Sequence, residues 1–157
     1  MATPPRPQPD AIIASEWGGW VHDICAGARP PAVWTPKVFQ NTEVSGTATG
    51  TVLRTGGLVH AWGSFEATGS GTAATAVALV LPVPAVLPAG YVVGSVQIAT
   101  ANGYIGVAQL QDANGVVFRV TSAHAAPHGL GTFGADPNVA LATGHRLRFQ
   151  LTYLATG

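Results

Sequence analysis

Alternation of apolar and polar residues is the feature that most constrains what this chain can fold into. It is clearest near the C-terminal end, at four apolar positions separated by single polar residues: Leu147, Phe149, Leu151 and Tyr153. A period of two places successive side chains on opposite faces of a strand, so one face is buried and the other faces water. The same period recurs over 59–66 and 92–99. The pattern therefore predicts β-structure from residue 37 onward.

Turn signals divide this part of the chain into short strands. Asn102-Gly103 and Asn114-Gly115 lie between alternating runs, and Gly56-Gly57 forms a similar junction. Asn-Gly favours a two-residue type I′ turn, in which both central residues have a positive φ. We therefore expect an antiparallel three-stranded meander over 91–122. Longer loops are expected over 67–75 and 123–143, and the strand spacing predicts an all-β, jelly-roll-like antiparallel sandwich.

The N-terminal part has a different pattern. Residues 1–9 carry four prolines and read as an extended arm. Asp10 has the character of a helix N-cap. A short helix over 10–24 would present an apolar set that we assign to an anchor: Ile13, Trp17, Trp20, Val21 and Ile24. Because Gly18 and Gly19 weaken such a helix, it should pack against another surface.

A second proline-rich stretch, 28–36, has the composition of a linker. The predicted organisation is therefore an N-terminal arm with a short helix over 1–36, which serves as a helical or extended anchor for attachment or oligomerisation. A β-sandwich domain over 37–157 follows it.

Charge excludes two classes of partner. Only 9% of residues are charged, and seven basic residues balance seven acidic ones. Without a basic stripe there are few counterions to release from nucleic acid, and little attraction to an anionic membrane surface. The apolar run 76–81 is too short for membrane insertion. So weakly charged a surface favours assembly, with a polar but uncharged monomeric β-protein as the alternative.

Residue patterns for catalysis are missing from the sequence. The β-domain acids, Glu43, Glu66, Asp112 and Asp136, form no pair in sequence, and no nucleophile, phosphate-binding or zinc-protease motif occurs. We therefore predict a protein that is not an enzyme, with no catalytic residues and no cofactor.

His124 and His128 are the weak candidates for a metal site. They form a His-x3-His pair in a proline-containing loop, and no third ligand accompanies them in sequence. Two solvated loop histidines are the favoured interpretation. The alternative is a symmetric trimer in which one histidine from each chain reaches a shared axis.

Trp62 is the leading candidate for an interface or ligand contact. It falls on the polar side of its predicted strand, together with His60, Ser64 and Glu66. An indole there could fill an interface between subunits, lie under another sheet or loop of the same chain, or stack on a sugar ring. The sequence leaves these three alternatives open, and His60 is the accompanying candidate.

Three stretches resemble small minor tail proteins of tailed bacteriophages of actinobacteria. They are the opening segment Asp10–Asp23 (DAIIASEWGGWVHD), the segment Trp34–Gln40 (WTPKVFQ) with Thr47–Gly63 after it, and the closing Gly144–Tyr153 (GHRLRFQLTY). The resemblance rests on the order of these pieces across most of the chain.

The resemblance implies a non-enzymatic virion protein of the tail, fibre or baseplate, made in the host cytoplasm. Such a protein would be a homotrimer, attach to other virion proteins through its N-terminal segment, and contact a host-envelope glycan through its β-domain. The alternatives are a capsid decoration or head-fibre protein and a free carbohydrate-binding module.

Overall fold

The computed structural model describes residues 30–121 and 129–156. These residues form eleven β-strands and no helix. The strands are β1 Ala32–Trp34, β2 Val38–Gln40, β3 Thr42–Glu43, β4 Gly46–Thr55, β5 Leu58–Ala67, β6 Ala78–Val80, β7 Val92–Ala99, β8 Gly103–Leu110, β9 Gly115–Thr121, β10 Leu130–Thr132 and β11 Arg146–Leu154. The prediction of an all-β, sandwich-like fold is confirmed.

The strands pair antiparallel in the order β1-β4-β5-β11-β7-β8-β9-β6-β2-β3, and β10 pairs with the end of β9 that β6 leaves uncovered. Two hairpins, β4–β5 and β7–β8, are therefore joined by the C-terminal strand, which lies between β5 and β7. Sheets with this many strands curl, so one face can enclose a core while the other remains open.

The inner face of the curled sheet holds the core. Along β11 the burial alternates strictly, with every second side chain buried. The largest fully buried side chains are Phe118, Phe133, Leu79, Ile98, Leu110, Leu141, Leu147 and Leu151. The alternation predicted over 147–153 is thus confirmed, and the polar residues of β11 lie on the opposite, outer face.

One buried polar side chain connects strand β2 to two distant loops by hydrogen bonds. Gln40, at the end of β2, is completely buried. Its Nε2 donates to the carbonyl oxygens of Thr75 (3.0 Å) and Val139 (2.8 Å), and its Oε1 accepts from the Leu141 N–H at 2.8 Å. Gly134 leaves room for this amide, because a Cβ there would lie 2.9 Å from Nε2. Gln40 therefore fixes two loops that the sequence alone does not connect.

The linker prediction for 28–36 is wrong where β1 forms. Ala32–Trp34 pairs with β4, so the sheet begins at Ala32 and not at residue 37. The Trp34 ring packs edge-on against Phe149, with centroids 5.6 Å apart. Prolines are tolerated beside a short edge strand, and tertiary packing overrides their local signal here. The predicted helix and the anchor residues Ile13, Trp17, Trp20, Val21 and Ile24 lie outside the described residues.

The expected meander is present, but its turn type was predicted wrongly. Between β7 and β8 lie three residues, and between β8 and β9 lie four. Neither Asn102 nor Asn114 has a positive φ. In the second loop the Asp112 carboxylate accepts the Asn114 N–H at 2.7 Å, which supplies an alternative turn geometry. Only Gly56-Gly57 makes the two-residue turn, with Gly56 at φ 58°.

The loop predicted over 123–143 also contains a strand. Leu130–Thr132 forms β10 and pairs with Arg119–Thr121 of β9. The next residue, Phe133, is fully buried, and its ring packs edge-on against that of Tyr104 with the ring centroids 5.2 Å apart. Three residues with a central glycine show no alternation, so only the tertiary partner reveals this strand.

Candidate functional site

The outer face is the side of the sheet opposite the core, and β5 and β11 form its centre. Three cross-strand pairs lie side by side on it: Trp62 with Gln150, Ser64 with Arg148, and Glu66 with Arg146. Their side chains share one face because the residues are two apart along each strand. The sequence prediction that Trp62 accompanies Ser64 and Glu66 is therefore confirmed in position.

A groove of about 710 Å³ runs along this face where β1, β4, β5 and β11 lie next to one another. Its sides are formed by Val33 and Thr51 at one edge and by Arg148 and Gln150 at the other, with Trp62 between them. Three smaller clefts, of about 220, 300 and 170 Å³, adjoin it along β4, β7 and β8. Together the four form a shallow, open concavity across most of the outer face. The whole concavity is referred to below as the groove, and the first and largest of the four clefts as the main groove.

Two glycines in the floor of the groove lie where the neighbouring strands leave no room for a side chain. A Cβ on Gly63 would lie 2.4 Å from the Thr49 carbonyl oxygen, and one on Gly50 would lie 2.8 Å from the Trp34 ring. Neither position can carry a side chain without moving its neighbour. The close approach of β1, β4 and β5 that shapes the groove therefore requires these glycines.

The lining combines the exposed indole of Trp62 with hydroxyl and amide groups and with the guanidinium of Arg148. Trp62 is 43% exposed, so much of its indole remains open to a partner. Thr49 Oγ1 and Ser64 Oγ lie 3.1 Å apart and share a hydrogen bond. Hydroxyl and amide groups can both donate and accept, which suits a ligand with many hydroxyls. An exposed indole offers the apolar surface on which the C–H face of a sugar can stack.

Two charged residues of the outer face neutralise each other. Arg146 Nε donates to Glu66 Oε2 at 2.8 Å, and its Nη2 donates to Oε1 at 3.2 Å. The hydrogen bond to Glu66 and the attraction of its charge raise the pKa of Arg146. The pair occupies one end of the groove and adds no net charge to it.

Arg148 occupies the centre of the groove, and it lines all four clefts. Its guanidinium has no hydrogen bond or ion pair to any residue of 30–121 or 129–156. It is exposed and lies opposite Ser64 on one side and Gln97 on the other.

His60 lies on the same face, one pair along from Trp62. Its Nδ1 is 2.9 Å from Thr152 Oγ1, its neighbour across the strands. It does not line the four clefts. The structure thus brings the two predicted residues onto one surface, but places only Trp62 in the groove.

The metal candidates His124 and His128 lie outside the described residues. Within 30–121 and 129–156, no three His, Cys, Asp or Glu side chains are grouped as a metal would require. The same residues include no helix with the length and hydropathy of a membrane span.

Sequence reasoning missed Arg148 and Gln150. Both belong to the polar half of the alternation in β11, which could have indicated them. Their significance depends on the pairing of β11 with β5, and those strands are separated by most of the domain. That pairing joins Arg148 to the face already marked by Trp62.

Comparison with protein-family models, curated proteins and solved structures gives no significant match to this chain. The groove is therefore interpreted from its own geometry.

Proposed function

We propose that this chain is a non-enzymatic structural protein of a bacteriophage particle whose β-domain binds host-envelope glycans through the groove. The observation that carries the binding role is Trp62, exposed in the middle of a groove whose polar lining consists of hydroxyl and amide groups and the Arg148 guanidinium. The virion role is supported by the resemblance described above for the order of three sequence segments.

Glycan binding suits this surface better than binding of an apolar ligand. Sugars stack a C–H face on an indole and direct their hydroxyls to polar side chains around it. The groove is shallow and open, which suits an extended ligand that keeps part of its surface in solvent. A small apolar ligand instead needs a pocket that encloses most of its surface.

A weak contact of this kind gains strength from multiple copies. We propose that the chain forms a trimer, so that one particle presents many grooves at high effective concentration. Apolar side chains that lie outside the groove and that other subunits could cover are available: Val92 is 58% exposed, Val86 51% and Leu154 47%. A molar mass near three times 15.9 kDa by light scattering is the expected result. A monomer at micromolar concentration would contradict the trimer and favour a free carbohydrate-binding module.

The attachment role belongs to the segment before the sheet. Deletion of residues 1–29 removes no described strand, because β1 begins at Ala32. We expect the truncated protein to fold and bind glycan but to be missing from assembled phage particles. Particles that carry the truncated protein at the normal copy number would contradict the attachment role.

Glycan binding is tested with Trp62→Ala on an array of bacterial envelope glycans. We expect the variant to lose about fivefold or more in affinity, since aromatic contacts contribute on the order of 1 kcal/mol or more. Tyr91→Ala is the matched control, because Tyr91 is 54% exposed and lines none of the four clefts. Equal binding by wild type and Trp62→Ala would refute the binding role of the groove.

A second candidate is a capsid decoration protein without a receptor role. The exposed Val33 and Ile105 side chains favour it, since both lie on the outer face and could be covered by the particle. The location of the protein on the particle distinguishes the two candidates. A decoration protein should be found on the head, with its groove buried in the assembled particle.

A further inference from the structure

Arg148 differs from the other basic side chains of the described residues. Each of the other four has a partner. Lys37 pairs with Glu43 at 3.6 Å, Arg146 with Glu66, Arg54 donates to the carbonyl oxygens of Gly56 and Thr156, and Arg119 donates to Thr132 and to the carbonyl oxygen of Leu130. Within 30–121 and 129–156, Arg148 has none of these contacts.

The position of Arg148 adds to this difference. It is the one residue that lines the main groove and all three adjoining clefts. Trp62 faces Gln150, two residues along β11, so Arg148 and Trp62 are diagonal neighbours on one face. Diagonal neighbours have Cα atoms about 7–8 Å apart, within reach of long side chains. One ligand can therefore touch both.

The charge of Arg148 is not offset by other groups in the clefts. The main groove contains no other charged residue, and neither does the cleft beside β7 and β8. Where Glu66 does line a cleft, Arg146 lines it too and is paired with it. The described lining of the groove therefore has a net positive charge centred on one guanidinium.

From this arrangement we propose that the groove selects glycans that carry an anionic oxygen group, and that Arg148 binds that group while Trp62 stacks on the adjoining sugar. The inference rests on the proposed glycan-binding function and names its ligand class. A guanidinium presents two parallel N–H donors that match a carboxylate or a phosphate, and charge-assisted hydrogen bonds of this type are about twice as strong as neutral ones.

Two kinds of envelope polymer supply this chemistry. A uronic acid carries a carboxylate on the sugar ring, and a polyol-phosphate chain carries a phosphodiester between units. Both combine a single negative charge with neighbouring hydroxyls, which is what Arg148, Ser64 and Gln150 together can recognise.

The test is calorimetric titration of the full chain with three ligands: an oligogalacturonate, the same oligosaccharide with its carboxyls reduced to hydroxymethyl groups, and a glycerol-phosphate oligomer that carries sugar substituents. We expect an anionic ligand to bind about tenfold or more tightly than the reduced one, and Arg148→Gln to remove that difference. The stronger of the two anionic ligands identifies the source of the charge.

Two further variants separate charge from position. Lys37→Gln makes the same charge change outside the groove and should leave every affinity unaltered. Arg148→Lys keeps the charge but loses the two-pronged donor geometry, so it should restore part of the preference for the anionic ligand.

The outcomes separate the proposed selectivity for anionic glycans from the proposed glycan binding itself. If the reduced and anionic ligands bind equally and Arg148→Gln changes neither, the anionic selectivity is refuted while Trp62-dependent glycan binding stands. If Trp62→Ala and Arg148→Gln both bind all three ligands as the wild type does, or if no ligand binds, the proposed function and this inference fail together.

Discussion

Gln40 and Arg148 are polar side chains on the same curled sheet, yet their surroundings are opposite. The Gln40 amide is completely buried and makes three hydrogen bonds to backbone groups of two loops. Arg148 is exposed in the groove and has no partner within the described residues. The first arrangement connects parts of the fold, and the second leaves binding capacity for another molecule.

The comparison separates what holds this protein together from what it can bind. A buried amide with satisfied donors and acceptors is costly to disturb, because its partners become unpaired in the core. An exposed cation costs little to remove and matters only when a ligand is present. Changes in the two regions should therefore have different readouts, stability in one and affinity in the other.

Gln40→Ala should have the largest effect on stability. It leaves the Leu141 N–H and the Thr75 and Val139 carbonyls unpaired in the interior, so we expect a loss of about 3–5 kcal/mol in urea unfolding. Arg148→Gln should change the free energy of unfolding by less than about 0.5 kcal/mol. Similar losses of stability in the two variants would contradict the assignment of Gln40 to stability and of Arg148 to binding.

Gly63→Ala tests the thin floor of the groove. The new methyl would lie 2.4 Å from the Thr49 carbonyl oxygen and 3.1 Å from the Phe149 ring. Because β4 must move to accept it, we expect a loss of about 2–3 kcal/mol and weaker glycan binding. Gly103→Ala is the control, since a Cβ there meets nothing within 4 Å. Equal stability of the two variants would show that β4 and β5 do not require the glycine.

Tyr153 links the core to alkaline stability. It is 2% exposed, its hydroxyl donates to the Val83 carbonyl oxygen at 2.8 Å, and burial raises its pKa to about 12. The folded state therefore keeps this proton where the unfolded state, with a pKa of about 10, has lost it. The contribution of Tyr153 to the free energy of unfolding is therefore complete below pH 10 and is lost between pH 10 and 12.

We expect this fall to be about 1–3 kcal/mol, from the difference between the pKa values of the folded and unfolded states. Urea unfolding of the wild type and Tyr153→Phe across this pH range measures it. The variant should lack this part of the decline while losing about 1 kcal/mol at neutral pH, where its hydrogen bond is missing. Parallel pH profiles would contradict the role of Tyr153.

Glu66→Gln should have the smallest effect, and it acts on binding. It removes the partner of Arg146, and because the pair is exposed its loss should leave the free energy of unfolding nearly unchanged. The groove then has a second unneutralised guanidinium, so affinity for an anionic glycan should rise about two- to threefold at low salt. Glu43→Gln frees Lys37 outside the groove and should leave affinity unchanged. An equal rise in both variants would indicate a general charge effect.

The sequence was sufficient for the strands whose signal is local. Alternation predicted β5, β7 and β11, and it placed Trp62 on the outer face. It did not reveal β1, because the surrounding prolines favour a linker, or β10, because three residues show no period. The Asn-Gly signals located two hairpins but not their loop geometry, which depends on contacts such as that of Asp112 with Asn114.

The groove itself could not be predicted in the same way. Trp62 and Arg148 become neighbours only through the pairing of β5 with β11, which a single sequence does not encode as a local pattern. Nor does the polar alternation of β11 distinguish Arg146, which has an acidic partner, from Arg148, which has none.

The most direct test of glycan binding on the outer face is an NMR titration of the isotope-labelled protein with the preferred oligosaccharide. We predict that the shifted signals will be the Trp62 indole N–H, the Arg148 side chain, and the backbone amides of β4, β5 and β11. Signals that move instead around Gln40 and the loops it connects, with Trp62 and Arg148 unmoved, would contradict the assignment of the groove as the binding site.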